Sequence, residues 1–115
     1  HGHFDHIWSV KELKEILEIP VYIHKDDEFM LQNDIFNIGI PKTSADILIE
    51  EDKTILIDNI EVTFKQFGGH TPGSMTIEIG DFMFSGDFVF NGAVGRVDFP
   101  YSDKEEMKKS LLKEA

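Results

Sequence analysis

The chain has 115 residues, of which 41% are hydrophobic and 29% charged, and this balance indicates one globular domain rather than a disordered chain. Its longest apolar runs, such as Phe88-Val89-Phe90, are far shorter than the roughly 20 residues that span a bilayer. Acidic residues outnumber basic ones 22 to 11, and the formal net charge of -11 repels phosphate backbones, which disfavours nucleic acid as a partner.

The first half of the chain predicts helices alternating with a short strand. An amphipathic helix that ends at Pro20 is predicted from apolar residues at helical spacing, namely Trp8, Val10, Leu13, Ile16 and Leu17. Val21 to Ile23 is a short apolar run typical of a buried strand, and Asp26-Asp27-Glu28 places acid in the first turn of a second short helix. Asn33 to Ser44 has no clear period, so we expect a loop over the surface or the site mouth.

From Asp46 onward the pattern is that of a β-meander. The predicted strands are Ile47 to Ile49, Thr54 to Ile57, Ile60 to Phe67, Ser74 to Ile79, and Phe82 to Phe84. Asp58-Asn59 predicts a tight hairpin turn. A glycine-rich loop follows from Gly86 to Gly95, and a final helix begins at about Asp103. We therefore expect an α/β (α+β) fold, with Trp8, Phe64 and Phe67 in its core.

The strongest chemical signal is His1-Gly2-His3-Phe4-Asp5-His6, which places four potential metal ligands within six residues just before a helix. Cysteine is absent, so a metal must be held by His and carboxylate groups. In an extended backbone His1 and His3 point the same way, whereas the turn into the helix moves Asp5 and His6 to a neighbouring point. One segment can thus serve two adjacent metals. A cloning-tag remnant or a solvated His cluster is the alternative, but neither accounts for Asp5.

Two further motifs are weak alone. Gly68-Gly69-His70-Thr71-Pro72-Gly73-Ser74 is an irregular loop between two predicted strands with one imidazole at its centre. Ser85-Gly86-Asp87 puts a carboxylate at the end of the Phe82 to Phe84 strand. His24 lies at a strand end, and we expect it near the rim of the site.

Taken together and in this order, the three motifs resemble the metallo-β-lactamase superfamily, whose pattern is H-x-H-x-D-H, a loop His, a bridging Asp and a last His. The resemblance implies an αββα sandwich, of which residues 1–115 form a part, with the first strands and the last His outside this chain. It also implies two divalent metals, with Zn expected and Fe or Mn as alternatives. The implied ligands are His1, His3 and His70 for the first metal, Asp5 and His6 for the second, and Asp87 for both.

Within the superfamily, the His70 to Ser74 motif and the stretch Gly92 to Phe99 look like the small glyoxalase II-like hydrolases. That resemblance implies hydrolysis of acyl thioesters such as S-lactoylglutathione by a metal-bridging hydroxide, with Asp5 and Asp87 orienting the water. Arg96 stands where some relatives have a basic residue that contacts glutathione, although an ion pair with Asp98 that braces the loop is an equal alternative. We expect a cytoplasmic enzyme with a small-molecule thioester as its partner and no nucleic acid or membrane. The oligomeric state stays open.

Two other functions share these motifs. Persulfide dioxygenases of the same superfamily are similar to this chain, and their pattern implies one iron on His1, His70 and Asp87. A noncatalytic domain that keeps the metals for structure or partner binding is the alternative of a different class. Iron content with oxygen uptake would indicate the dioxygenase, and an empty or buried site in the complete protein would indicate the noncatalytic domain.

Overall fold

The computed structural model describes residues 1–114. Helices and strands are mixed along the chain, which confirms the predicted α+β class. The helices are α1 (Phe4–Ile7), α2 (Val10–Leu17), α3 (Phe29–Gln32) and α4 (Lys104–Glu114), with a 3₁₀ turn at Lys25–Asp27. The strands are β1 (Tyr22–His24), β2 (Ile47–Ile49), β3 (Lys53–Ile57), β4 (Ile60–Gln66), β5 (Met75–Ile79), β6 (Phe82–Phe84), β7 (Val89–Phe90) and β8 (Ala93–Val94).

The strands form one meander and two small pairs. The antiparallel order β3-β4-β5-β6 matches the last four strands of the predicted meander. Ile47 to Ile49, which was expected as its first strand, is β2 and instead pairs in parallel with β1. Asp58 and Asn59 connect β3 to β4 with φ of 50° and 66°, the left-handed backbone that a two-residue hairpin turn favours. The long connection between β4 and β5 carries His70, and the segment after β6 carries Asp87. Both candidate ligands therefore lie on loops that leave one sheet.

Two sequence predictions about local structure are wrong. The segment from Gly86 to Gly95 is more than a loop, because β7 and β8 pair across the two-residue turn Asn91-Gly92. Gly92 has φ of +80°, which a residue without a side chain adopts at little cost. Trp8 does not belong to the core, since it is 44% exposed in the short link between α1 and α2.

Three apolar clusters hold the elements together. The first, Ile7, Ile23, Leu31 and Ile40, packs α1 against β1 and α3, while the second, Ile49, Val62 and Phe64, lies on the meander. The third, Phe67, Phe88 and Met107, joins the end of β4, the residue after Asp87, and α4. Phe64 and Phe67 are buried, as predicted. The third cluster thus fixes the two loops that carry His70 and Asp87 relative to each other.

Apolar side chains also remain on the surface. Leu13, Ile16 and Leu17 of α2 are exposed, as are Phe82 and Phe84 of β6. The apolar face of α2 predicted from its periodicity is therefore largely uncovered. Among residues 1–114, no helix is both long enough and apolar enough to cross a membrane.

Candidate metal centre

Three segments that are distant in sequence bring their polar side chains to one place. These are the first six residues, which precede and begin α1, the loop between β4 and β5, and the segment after β6. Ring nitrogens of His1, His3 and His70 all lie within 4.8 Å of one another, and so do ligand atoms of His1, His6 and Asp87. The two groups are adjacent because His1 belongs to both. We call the position among His1, His3 and His70 the first site, and the position beside Asp5 and His6 the second site.

Asp87 lies between the two sites and faces each with a different oxygen. Its Oδ2 is 3.3 Å from His70 Nε2 and 3.8 Å from His1 Nε2, whereas its Oδ1 is 3.3 Å from His6 Nε2. Ligand atoms about 2.0–2.1 Å from a tetrahedral zinc lie about 3.3 Å from one another. The spacing of these side chains therefore fits two neighbouring cations that share one carboxylate.

The first site is buried and its imidazoles are oriented. His3 and His70 are 2% and 1% exposed, and His3 Nδ1 lies 3.0 Å from His70 Nε2. The N–H at Nδ1 of His70 donates to the carbonyl of Arg96 at 2.7 Å, which leaves the lone pair of Nε2 for a ligand. Burial, and secondarily the nearby His70, lower the pKa of His3 to about 4. His3 is therefore neutral near pH 7, the form that a metal binds.

His1 provides the test of whether a metal fits. Both of its ring nitrogens are buried and have no hydrogen-bond partner among the described residues. A buried polar group without a partner is destabilising by about 1–3 kcal/mol, so native proteins rarely leave one. A cation coordinated by Nε2 would satisfy one of the two nitrogens. The donor set of three imidazoles and one carboxylate is also one that zinc and iron accept.

The second site is more open. The side chain of His6 is 33% exposed and that of Asp5 is 58% exposed, and His6 Nε2 lies 3.6 Å from Asp5 Oδ2. Asp5 belongs to neither of the two three-residue groups, so it stands at the outer edge of the centre. The centre is therefore exposed to solvent on the side of Asp5 and His6.

Aromatic side chains cover the opposite side of the first site. The His3 ring lies edge to face with Phe36 at 5.4 Å and with Phe99 at 5.2 Å between ring centroids. Phe36 belongs to the segment from Asn33 to Ser44, so this irregular loop reaches the site. The contact of Phe36 with His3 could not be predicted from the sequence, because the loop lacks any hydrophobic period.

Arg96 forms an ion pair with Asp98, one of the two roles that the sequence suggests for it. The guanidinium of Arg96 makes two hydrogen bonds to the Asp98 carboxylate, at 2.6 and 2.7 Å, and lies 4.0 Å from the Phe99 ring centroid. The structure thus contains the loop-bracing ion pair, and substrate contact by Arg96 stays a prediction.

His24 ends β1 but is only 1% exposed, so the expectation of a residue on the site rim is wrong. Burial lowers its pKa.

Two residues that shape the centre were missed at the sequence level. A Cβ atom at Gly95 would overlap the carbonyl oxygen of Asp87 and approach His70 Nδ1 to 3.2 Å, so only glycine fits there. Asp27 is fully buried, not a surface acid in a helical first turn, and its carboxylate accepts hydrogen bonds from the backbone of Gly2 and Gly73. Both residues act through close backbone approaches between distant segments, which local sequence patterns do not reveal.

Comparison with known proteins agrees with this geometry. The model of the metallo-beta-lactamase superfamily matches residues 1–115. An uncharacterized protein of Aquifex aeolicus is 34% identical over 96% of this chain and 56% of its own length. The “Probable metallo-hydrolase YqgX” of Bacillus subtilis is 32% identical over 96% and 57%. The hydroxyacylglutathione hydrolase GloC of Haemophilus influenzae is 26% identical over 96% and 57%. The chain thus spans a little over half the length of these curated relatives.

Solved structures give the same result. The B3 metallo-beta-lactamase BLEG-1 has a TM-score of 0.88 and 28% identity, over 97% of this chain and 58% of that one. TTHA1623 in a di-iron-bound form has a TM-score of 0.79 and 32% identity, over 98% and 59%. The sandwich fold implied by the motifs is therefore the fold of the structures that this chain resembles.

Proposed function

The chain belongs to the metallo-beta-lactamase superfamily, a superfamily of metallo-hydrolases that bind divalent metals, and on that premise we propose that the whole protein hydrolyses acyl thioesters such as S-lactoylglutathione. In this proposal, residues 1–115 form part of one domain. The ligands are His1, His3 and His70 at the first site, Asp5 and His6 at the second, and Asp87 at both. Zinc is the expected metal. A cytoplasmic location remains a prediction.

The observation that carries the proposal is the position of Asp87. Its two oxygens lie 3.3 Å from ring nitrogens on opposite sides, His70 Nε2 and His6 Nε2. A carboxylate in that position would be able to hold two cations, as the shared ligands of two-metal hydrolases do. The more exposed Asp5 and His6 leave the same centre open to a small substrate.

Two divalent cations, when bound, would supply Lewis acidity and lower the pKa of a coordinated water toward neutrality. The residues of this chain orient the side chains that would hold the metals. The Arg96 carbonyl fixes the tautomer of His70, and Gly95 lets Asp87 approach that ring. Asp5 Oδ2 is exposed beside His6 and can accept a hydrogen bond from water and hold its proton. A thiolate leaving group needs no strong acid, which suits a centre built from imidazoles and carboxylates.

The names of relatives favour this substrate class. GloC of Haemophilus influenzae is called a hydroxyacylglutathione hydrolase, and its 26% identity extends over 96% of this chain. A thioester of glutathione is also a small molecule, and Asp5 and His6 on α1 are partly exposed beside the centre. The net charge of -11 disfavours a polyanionic substrate.

The test is thioester turnover by the full-length protein. Glutathione release from S-lactoylglutathione should stop when a chelator removes the metal and resume when zinc is added back. Asp87→Asn should abolish turnover, while Asp58→Asn, a change of the same chemistry in the β3–β4 turn, should leave it intact. Metal-independent turnover, or full activity of Asp87→Asn, would refute the proposal. The protein should also leave RNA uncleaved.

A second candidate is a persulfide dioxygenase. His1, His70 and Asp87 by themselves form a set of two imidazoles and one carboxylate, the donor set of many mononuclear iron oxygenases. Protein loaded with iron and given a glutathione persulfide should then consume oxygen. Oxygen uptake without thioester hydrolysis would replace the first proposal with this one.

A further inference from the structure

Asp27 is a buried carboxylate that joins the two segments carrying the ligands of the first site. It lies in the 3₁₀ turn after β1 and is completely buried. Its Oδ2 accepts hydrogen bonds from the backbone N–H of Gly2 at 2.9 Å and from the hydroxyl of Thr71 at 2.6 Å. Its Oδ1 accepts from the backbone N–H of Gly73 at 2.6 Å.

The donors belong to residues that adjoin the imidazoles. Gly2 separates His1 from His3, and Thr71 directly follows His70. The carboxylate of Asp27 is therefore hydrogen-bonded to Gly2, 25 residues earlier in the chain, and to Thr71, 44 residues later. The two segments also meet where His3 Nδ1 lies 3.0 Å from His70 Nε2, and Asp87 lies within 3.8 Å of both His1 and His70. Within residues 1–114, Asp27 is the side chain that accepts hydrogen bonds from the backbone of both segments.

The backbone around Asp27 is built for this contact. A Cβ atom added to Gly73 would lie 2.8 Å from Asp27 Oδ1, and one added to Gly2 would lie 3.1 Å from the Asp27 carbonyl oxygen and 2.8 Å from Met30 Cβ. Only glycine at both positions lets the two segments come this close to the 3₁₀ turn. Ser74 extends the network, because its hydroxyl lies 2.7 Å from that of Thr71.

We propose that Asp27 is the positioning residue of the first site: its carboxylate holds the His1–His3 segment and the His70 loop at the separation that lets their imidazoles bind one metal. Asp27 itself does not touch the metal or the substrate. The second site depends on Asp27 less directly, because Asp5 and His6 lie on α1 and, within residues 1–114, make no hydrogen bond to Asp27. The inference rests on the ligand roles proposed above for His1, His3 and His70.

The experiment measures metal affinity and not turnover. Apo protein of full length is titrated with Co²⁺ alone, and the visible absorption of the bound ion is followed. Asp27→Asn turns one acceptor oxygen into a donor facing N–H and O–H groups, so it breaks the connection with little change in volume. We expect the affinity of the first site to fall by about 10- to 100-fold, the usual effect of removing an outer-shell partner, and the absorption band of that ion to change. An Asp5→Ala background weakens the second site and lets the first be titrated alone.

Asp26→Asn is the matched control, because Asp26 precedes Asp27 in the same turn but its side chain is 42% exposed. It should leave both affinities at the wild-type value. An unchanged first site in Asp27→Asn would overturn the proposal. Equal losses at both sites would overturn it too, because they indicate general loosening of the fold.

A second pair of variants tests the inference if Asp27→Asn does not fold. Thr71→Val removes only the hydroxyl bond to Asp27 and the contact with Ser74, whereas Thr71→Ser keeps a hydroxyl in place. We expect weaker Co²⁺ binding at the first site in Thr71→Val and wild-type binding in Thr71→Ser. Identical affinities in the two variants would overturn the proposal.

The outcome is separable from the proposed function. Wild-type protein that binds two Co²⁺ ions but hydrolyses no thioester refutes the hydrolase and leaves the result for Asp27 intact. Wild-type protein that hydrolyses thioesters while Asp27→Asn binds Co²⁺ normally refutes the role of Asp27 alone.

Discussion

Replacing Phe88 by alanine should both destabilise the protein and weaken its metal centre. Phe88 is completely buried and stacks on Phe67, with ring centroids 4.4 Å apart and planes inclined by 2°. Removing a fully buried phenylalanine leaves a cavity and typically costs about 3–5 kcal/mol. Phe88 directly follows Asp87, and Phe67 lies three residues before His70. Collapse of the stack should therefore shift both ligands.

The loss of unfolding free energy in Phe88→Ala has one contribution from the cavity and another from the lost ring stacking. Phe88→Leu keeps most of the volume and loses the ring contact, so we expect a loss of about 1–2 kcal/mol, of which stacking accounts for about 0.5–1.5 kcal/mol. Urea unfolding of the metal-free full-length protein gives both values. Phe90→Ala is the control, because Phe90 lies in the same hairpin but is 50% exposed; its effect should stay within about 0.5 kcal/mol. A loss below about 1 kcal/mol for Phe88→Ala would refute the claim that this stack holds the two loops.

Three further outcomes follow from the centre and its surroundings. Asp5→Ala removes a carboxylate 3.6 Å from His6, so it should weaken only the second metal in a two-site zinc titration and slow thioester turnover by more than about 100-fold. If Arg96 binds substrate, Arg96→Ala should raise KM and leave kcat unchanged, whereas Asp98→Ala should leave KM unchanged. Equal effects of the two variants on KM would show that only their ion pair matters. Burial lowers the pKa of His24 below its ordinary 6.5, so in that range the unfolded chain binds a proton that the native protein excludes. The free energy of unfolding should therefore fall as the pH drops below about 6.5. Urea unfolding of His24→Gln should show a weaker pH dependence in that range.

The elements of the fold were largely predictable because their signals are local. Periods of two and 3.6 residues, together with the turn at Asp58 and Asn59, define the meander and the helices without any tertiary information. The hairpin of β7 and β8 was missed because each strand has only two residues, too few to show a period. The exposure of Trp8 was missed for another reason: a helical period identifies an apolar face but says nothing about what lies opposite it.

The candidate site likewise contains residues that could be predicted from the sequence and others, such as Asp27, that could not. The four potential ligands within residues 1–6 were visible from their chemistry and spacing, whereas His70 and Asp87 became candidate ligands only through the resemblance of the combined motifs to the superfamily. Asp27 was not predicted, because Asp26-Asp27-Glu28 equally fits the start of a helix, where acidic residues interact favourably with the N-terminal N–H groups. Its actual donors lie 25, 44 and 46 residues away. No local pattern separates an acid that faces solvent from one that joins two distant loops.

The way the centre is built also explains why its supporting residues are so constrained. Both ring nitrogens of His1 are buried without a hydrogen-bond partner among the described residues, so the chain holds this imidazole in a position that its own interactions do not favour. Such an arrangement persists only where the surrounding structure determines it, because the imidazole would otherwise turn outward and be hydrated. Here that structure consists of an aromatic stack, a carbonyl that accepts from His70, and glycines that fit where no Cβ does. Because each of these contacts positions a residue that would hold metal, each bears directly on metal affinity. Changes well away from the substrate should therefore alter metal binding before they unfold the protein.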